Sequence, residues 1–436
     1  MITRRTFGRL GIGVVAIGGF GSSNAFGLGT DSVLETEIDS NDIRRVGVRK
    51  SSVYWGINSE KIDLLSGNLS YSVLLAHAGA ESCNVALRLS FNSQIWRRGY
   101  KEVKAYGKDL GFGYGWKLQI GSITPSSIGA SRAFIYTDNT GAEYHLRQCG
   151  DVWRSIGATH ITFDPSRSQL WFANGTSMIF GAVAGPMEPD AGSLYPTVVQ
   201  DLAGHRVLIS YLPGSGSKLR NTSGRISQID NVVDGKFGYQ FIYNSDPLPR
   251  LTSIVNRLGG RSDCYRFSYL QQYVISPFNL LAHKGYPVVL LNATSAGADG
   301  GQTFEYNLYG ELTRAKIADG SSLEWNYRTF NFQNGRSVRE VLTRASVGPT
   351  ASTTHSFSRS ASDGSGTIHN SAIVTEPIGD QRSSWTFADD VRSPYSYHTL
   401  TSPSLGGGTV GRRRHFDWVA TQRTFANLSR NASVLL

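Results

Sequence analysis

Residues 304–328 read FEYNLYGELTRAKIADGSSLEWNYR, and residues 239–269 read YQFIYNSDPLPRLTSIVNRLGGRSDCYRFSY. Both write alternating aromatics, then a charged residue with Leu-Thr, then Gly, then alternating aromatics again. A period of two is the mark of a strand with one buried face. Gly beside Asp or Asn supplies the positive φ that a tight hairpin turn needs. One hairpin alone is marginal in water, but stacked hairpins join their inner faces into one apolar wall. The repetition therefore predicts an all-β chain of stacked β-hairpin repeats, forming a twisted ribbon or partial shell.

The copies run in order. Ile226 and Ile229 precede Asp234-Gly235 and the triplet Tyr239, Phe241, Tyr243. Arg250-Leu251-Thr252 and Ile254 precede Gly259-Gly260 and Tyr265, Phe267, Tyr269; Glu311-Leu312-Thr313 and Ile317 precede Asp319-Gly320 and Leu323, Trp325, Tyr327. Upstream, FIYTDNTGAEYHL and ITFDPSRSQLWFANGTSMIFG read as further hairpins, and DLGFGYGWKLQIGSITP sets glycines between Phe112, Tyr114 and Trp116 so that the backbone turns closely while the rings are buried. With 49 Gly, 20 Tyr and 20 Phe against 3 Met, composition favours short strands and tight turns. The division expected is a signal peptide at 1–25, a lead-in segment at 26–60, an N-terminal β-rich region at 61–200, hairpin repeats at 201–390 and a polar C-terminal tail at 391–436.

The first residues, MITRRTFGRLGIGVVAIGGFGSSNA, combine a basic start, a mild apolar run and a small-residue cleavage pattern, as in a signal peptide. Arg4, Arg5 and Phe7 stand where a twin-arginine signal places its motif. Export to the periplasm, cell surface or medium is expected, with no membrane-spanning segment after removal. Cleavage takes three of the 43 basic residues and none of the 33 acidic ones, so the surplus falls from +10 to +7. That surplus is spread along the chain except at Arg412-Arg413-Arg414, a solvated loop by default, and nucleic acid is not an expected partner. Cys83, Cys149 and Cys264 are too few and too far apart for a disulfide framework.

The units resemble the tyrosine-aspartate (YD) repeat of Rhs proteins, which runs Tyr-x-Tyr-Asp, Gly-Arg-Leu-Thr, and Asp-Gly before the next aromatic pair. Gly224-Arg225-Ile226-Ser227, Arg250-Leu251-Thr252 and Gly310-Glu311-Leu312-Thr313 carry the middle element; Asn244 and Asn307 stand where the family has Asp, and Pro249 and Glu311 interrupt the Gly-Arg pair. The resemblance covers roughly residues 60 to 390. It implies a β ribbon spiralling into a shell, here a short or truncated member lacking the Asp-Pro-x-Gly-Leu self-cleavage core. Such a ribbon is expected to end in an open edge that takes up a partner polypeptide or a second copy.

Catalytic patterns are absent from this reading. The nine His follow no metal-ligand spacing, the PGSGSK loop around Ser215 lacks the strand-to-helix setting of a nucleophile elbow, and Asp389-Asp390 point to opposite faces of any strand. The expected function is an exported, non-enzymatic scaffold, shell or cell-surface contact protein without a cofactor. The alternatives are a carbohydrate-binding surface protein using Trp96, Trp153 and Trp171 as exposed stacking platforms, and a β-propeller-like glycan hydrolase.

Overall fold

The computed structural model describes residues 53–416 except 56–59, 65, 79–84, 99–102, 106, 129–130, 156–159, 232–237, 258–263, 279–284, 297–300, 333–334, 336, 361–368, 370, 377–381, 388–395 and 402–411. The described residues form strands, turns and loops without a helix, so none is long and apolar enough to cross a membrane. Arg4, Arg5 and Phe7 lie outside the described residues.

Strand neighbours in sequence are almost always neighbours in space and antiparallel. From Gly121–Ile128 to Leu194–Gln200 a run of 8 strands closes on itself, its seam made where Leu194 pairs with Ile123. The interior of this ring is aromatic: Phe134 lies edge-on to Trp153 at 5.0 Å and to Phe163 at 5.1 Å, near the favoured separation for such pairs. The ribbon then continues as successive hairpins through Ser352–Arg359 and Ser371–Thr375. The segment expected as a polar tail carries two more strands, Ser396–Thr401 and Arg412–Phe416, which pair with each other.

A second sheet has 5 strands: Val53–Trp55, Glu60–Asp63, Leu69–Ala78, Val85–Asn92 and Trp116–Gln119. Its register aligns Glu60, Tyr71, Phe91 and Trp116 in one row across one face. That face lies on the ribbon, which covers it with Phe304, Tyr306 and Trp325. The opposite face is reached by the turn of the ring hairpin, where Ser70 Oγ donates to the Thr140 carbonyl and Asn139 Nδ2 to that of Ala86. The sheet is thus held between ring and ribbon, and one core runs through all three parts.

The repeated tyrosine has a specific job. In five consecutive hairpin units the ladder register slips at a tyrosine of the first strand: at Tyr211, Tyr243, Tyr269, Tyr306 and Tyr327. Each sits opposite an aliphatic residue of the next strand, in order Ile226, Leu251, Leu291, Leu312 and Val341. A bulge interrupts the ladder, so a buried carbonyl there needs another donor. The next hairpin's tyrosine supplies it: the hydroxyls of Tyr243, Tyr269, Tyr306 and Tyr327 donate to the carbonyls of Ile226, Leu251, Leu291 and Leu312 at 2.9, 2.8, 2.7 and 2.8 Å. Where the following strand, Ser352–Arg359, has no tyrosine, Arg359 Nη1 donates to the Val341 carbonyl at 2.9 Å.

The same positions tie the ribbon to what it covers. The Leu251 N–H donates to the Gly111 carbonyl at 3.0 Å and the Val341 N–H to the Gly67 carbonyl at 2.9 Å. At Gly113, with φ +93°, an added Cβ would stand 2.6 Å from the Leu291 nitrogen, so only glycine lets this segment approach the ribbon so closely. The aromatics between these glycines, Phe112, Tyr114 and Trp116, are all buried as the sequence predicts.

Burial pushes the Tyr243, Tyr269, Tyr306 and Tyr327 phenols well above the ordinary tyrosine value. A raised folded-state pKa contributes stability that is complete below the unfolded value near pH 10 and is lost as pH climbs beyond it. Their phenolate absorbance should therefore appear in step with loss of ellipticity above pH 10, not before it. Smooth titration of all tyrosines with the fold intact would contradict the hydroxyl-to-carbonyl scheme. At neutral pH, Tyr269→Phe should cost about 1–3 kcal/mol by leaving a buried acceptor unmet, and Phe304→Ala about 3–5 kcal/mol, both read from urea midpoints.

Candidate functional site

The part of the molecule richest in unusual chemistry is the contact between the ribbon's inner face and the sheet it covers. Aromatic rings set its shape. Trp116 lies 4.8 Å from Phe304, and Tyr71 lies 5.3 Å from Trp325, both in inclined rather than parallel geometry. Their polar ends are all satisfied across the contact. Trp116 Nε1 donates to the Tyr306 hydroxyl at 2.7 Å, the Tyr71 hydroxyl donates to Gln302 Oε1 at 2.8 Å, and Trp325 Nε1 donates to Glu60 Oε2 at 2.9 Å. Burial raises the Tyr71 phenol well above its ordinary value, with the Glu60 charge adding to the effect.

Around these rings runs a row of buried and half-buried charges with a common origin in the repeat. The residue just before each bulge-facing aliphatic is charged in four units: Arg225, Arg250, Glu311 and Glu340. Each is answered by opposite charge. Arg225 grips Glu188 with two bonds of 2.8 and 2.7 Å, and Arg250 reaches Asp109 at 3.2 Å and Asp246 at 3.0 Å. Glu311 accepts two bonds of 2.7 Å from Arg339. Glu340 faces Arg328 at 3.5 Å, Arg359 at 3.8 Å and the His369 ring nitrogen Nε2. The replacement of Arg by Glu at position 311 is thus matched by a reversal of its partner's sign. In the unit with Leu291, the preceding residue is Leu290, packed instead in a separate apolar cluster with Trp96 and Tyr114. A further pair, Glu60 with Arg344 at 2.7 Å, joins the covered sheet to the ribbon itself.

This arrangement joins hairpins to one another and to the sheet they cover. Every carboxylate named is held by a guanidinium or an imidazole. Among the described residues no group of three or more His, Cys, Asp and Glu comes together as a metal site. Ser215 belongs to a tight turn whose N–H donates to Glu188 Oε1 at 2.6 Å. Burial alone would raise the Glu188 carboxyl, but the Arg225 guanidinium and the Ser215 N–H outweigh it and hold the group below the usual carboxylate range.

The expected stacking platforms take a different place. Trp153 is buried inside the ring against Phe134, and Trp96 is buried with its Nε1 donating to the Tyr309 carbonyl at 2.6 Å, so neither offers an exposed face. Trp171 is half-buried at the end of strand Gln169–Trp171. The three lie on different parts of the fold, two in the ring and one beside the long hairpin. Trp153 and Trp96, offered as exposed platforms in the carbohydrate-binding alternative, are each buried by a partner from another hairpin. Cys149 is a free, exposed thiol.

No protein-family model matches the chain, and no curated protein matches it. Among solved structures, the N-terminal domain of the effector protein SpvB from Salmonella typhimurium is 13% identical, with 64% of this chain and 98% of that chain covered and a TM-score of 0.26. TcdB2-TccC3 is 8% identical over 86% of this chain and 20% of that one, with a TM-score of 0.29. The complex TcdB2-TccC3-Cdc42 is 10% identical over 81% of this chain and 19% of that one, with a TM-score of 0.26. The chain thus spans about a fifth of the length of the latter two. At TM-scores below 0.5 these likenesses assign no ligand or activity to it.

The buried pairs give a test of their own. Arg225→Met leaves the Glu188 carboxylate buried without its guanidinium and should cost about 3–5 kcal/mol, much of it recovered in the double variant with Glu188→Leu. Because Glu188 is depressed in the folded state, its contribution is complete above about pH 4.3 and is lost as pH falls through the folded value. Urea midpoints between pH 2 and 6 should accordingly fall less steeply for Glu188→Gln than for the unaltered protein.

Proposed function

We propose that this chain is an exported, non-enzymatic β scaffold of the Rhs type, whose hairpin wall covers and shields a polypeptide segment. One observation carries the reading: the wall's inward aromatics are already occupied, and the occupant is the chain's own sheet, with Tyr71, Phe91 and Trp116 against Phe304, Tyr306 and Trp325. A surface built to stack glycans would keep such rings open to solvent. The repeat supports the same reading, since its tyrosines and charges serve to join hairpins and close over a filling.

Hydrogen exchange on the intact protein tests it. The amides of Leu69–Ser72 and Leu87–Phe91 should exchange only with global unfolding, as buried core strands do. Exchange of these amides within minutes, while the hairpins of the wall stay protected, would remove the shielding role. Turnover of any glycan or peptide substrate by the purified protein would remove the non-enzymatic one.

Export rests on Arg4, Arg5 and Phe7, and Arg4→Lys with Arg5→Lys should block it in a twin-arginine-competent host. Unimpaired export of that variant would leave an ordinary secretory signal. Among the described residues strand Arg412–Phe416 pairs on one side only, and a partner chain or second copy adding there is part of the proposal. Sedimentation velocity should show concentration-dependent association; a strictly monomeric species at every concentration would exclude self-association.

A further inference from the structure

Where the covered strand Leu69–Ala78 runs out from beneath the ribbon, a cavity of about 230 Å³ opens between Val73–Leu75 and the inner face of the ribbon strands. It is half open to solvent at Leu74, which is 41% exposed. Register places the opposite wall. Phe267 pairs with Thr294, Thr294 with Gln302 and Gln302 with Ile317, so these side chains form one row across the inward face, and Tyr265 follows Phe267 on the same face two residues away.

The chemistry of the lining is selective. Thr294 and Gln302 bring hydrogen-bonding groups, Tyr265 brings its ring, Leu75 and Ile317 bring aliphatic surface, and no charged residue lines the cavity. Gln302 is oriented from behind: its Oε1 accepts the Tyr71 hydroxyl at 2.8 Å, which leaves the Nε2 end as its free donor, with no partner among the described residues. An ion entering here would give up part of its water and find no countercharge in the lining, which hydrogen bonds to neutral groups repay poorly. A purely apolar ligand would strand the Gln302 amide and the Thr294 hydroxyl, each at a cost. The remaining class is a neutral molecule with hydroxyls on its rim and a C–H face. The volume lies below the roughly 300 Å³ at which pockets for drug-sized ligands begin, so one ring fits and two do not.

We propose that this cavity binds a single neutral sugar ring, its C–H face against Tyr265 and the aliphatic side chains and its hydroxyls on Gln302 and Thr294. The site differs from a surface row of tryptophans, and it stands or falls separately from the scaffold role.

The test is isothermal titration and saturation-transfer NMR on the intact protein with methyl glucoside, methyl galactoside and N-acetylglucosamine, against glucuronate and glucosamine as charged counterparts. At least one neutral sugar should bind saturably at one site per chain, with the charged sugars at least about tenfold weaker. Thr294→Val and Gln302→Leu should each raise the Kd about tenfold, and Ile317→Trp, which fills the space, should abolish binding. Three results overturn the proposal: no neutral sugar saturates, the charged sugars bind as well, or the variants shift Kd by less than about twofold. The comparison of neutral with charged sugars uses the unaltered protein, so it decides the matter even if a variant fails to fold.

Discussion

The hydroxyl of one tyrosine reaching the backbone of the hairpin before it is the contact on which the rest of this structure depends. A ribbon of antiparallel hairpins must curve if it is to cover anything, and a bulge in each hairpin supplies the bend at the expense of a ladder bond. The carbonyl left over is buried, where an unmet acceptor costs more than one hydrogen bond is normally worth. Tyr243, Tyr269, Tyr306 and Tyr327 each close the gap in the preceding unit, so curvature in one hairpin is stabilised only once the next has arrived. Bending and propagation become one event.

The inner row of charges follows from the same geometry. The residue before each bulge-facing aliphatic is turned inward, and at four positions it is ionic. Isolated there it would be untenable, and each is paired with a group from another hairpin or from the covered segment, as in Arg225 with Glu188 and Glu311 with Arg339. A buried pair of this kind adds little net stability over a well-packed apolar one. Its effect is on choice: a hairpin docked one unit out of place would set Arg225 or Glu340 beside the wrong sign.

The ribbon was legible in the sequence because its determinants are local. Aromatic alternation at Tyr239, Phe241 and Tyr243, and Asp-Gly at 319–320, specify strand and turn from residues a few positions apart, and the strands fall there. The fact that Phe112, Tyr114 and Trp116 are buried could also be read from their glycine spacing. The covered sheet could not. Its strands look like any other alternating segment, and what distinguishes them is contact with residues hundreds of positions later, such as Tyr71 with Gln302 and Glu60 with Arg344. Arg225 and Glu311 were visible as motif letters, yet their partners Glu188 and Arg339 follow no spacing rule. Trp96 and Trp153 illustrate the limit from the other side, since an aromatic residue is placed at the surface or in the core by a neighbour that the local sequence does not contain.

The order in which the chain appears adds a consequence. The covered sheet is built from residues near the beginning, and the strands that cover it, from Tyr286–Ala296 to Ser352–Arg359, come much later. A polypeptide emerging amino end first would present Tyr71, Phe91 and Trp116 to solvent well before Phe304 and Trp325 exist to meet them. Contacts this distant in sequence make for slow folding and a long interval of adhesive apolar surface. The twin-arginine route proposed for this chain would carry it across a membrane already folded and so confine that interval to the side where synthesis occurs.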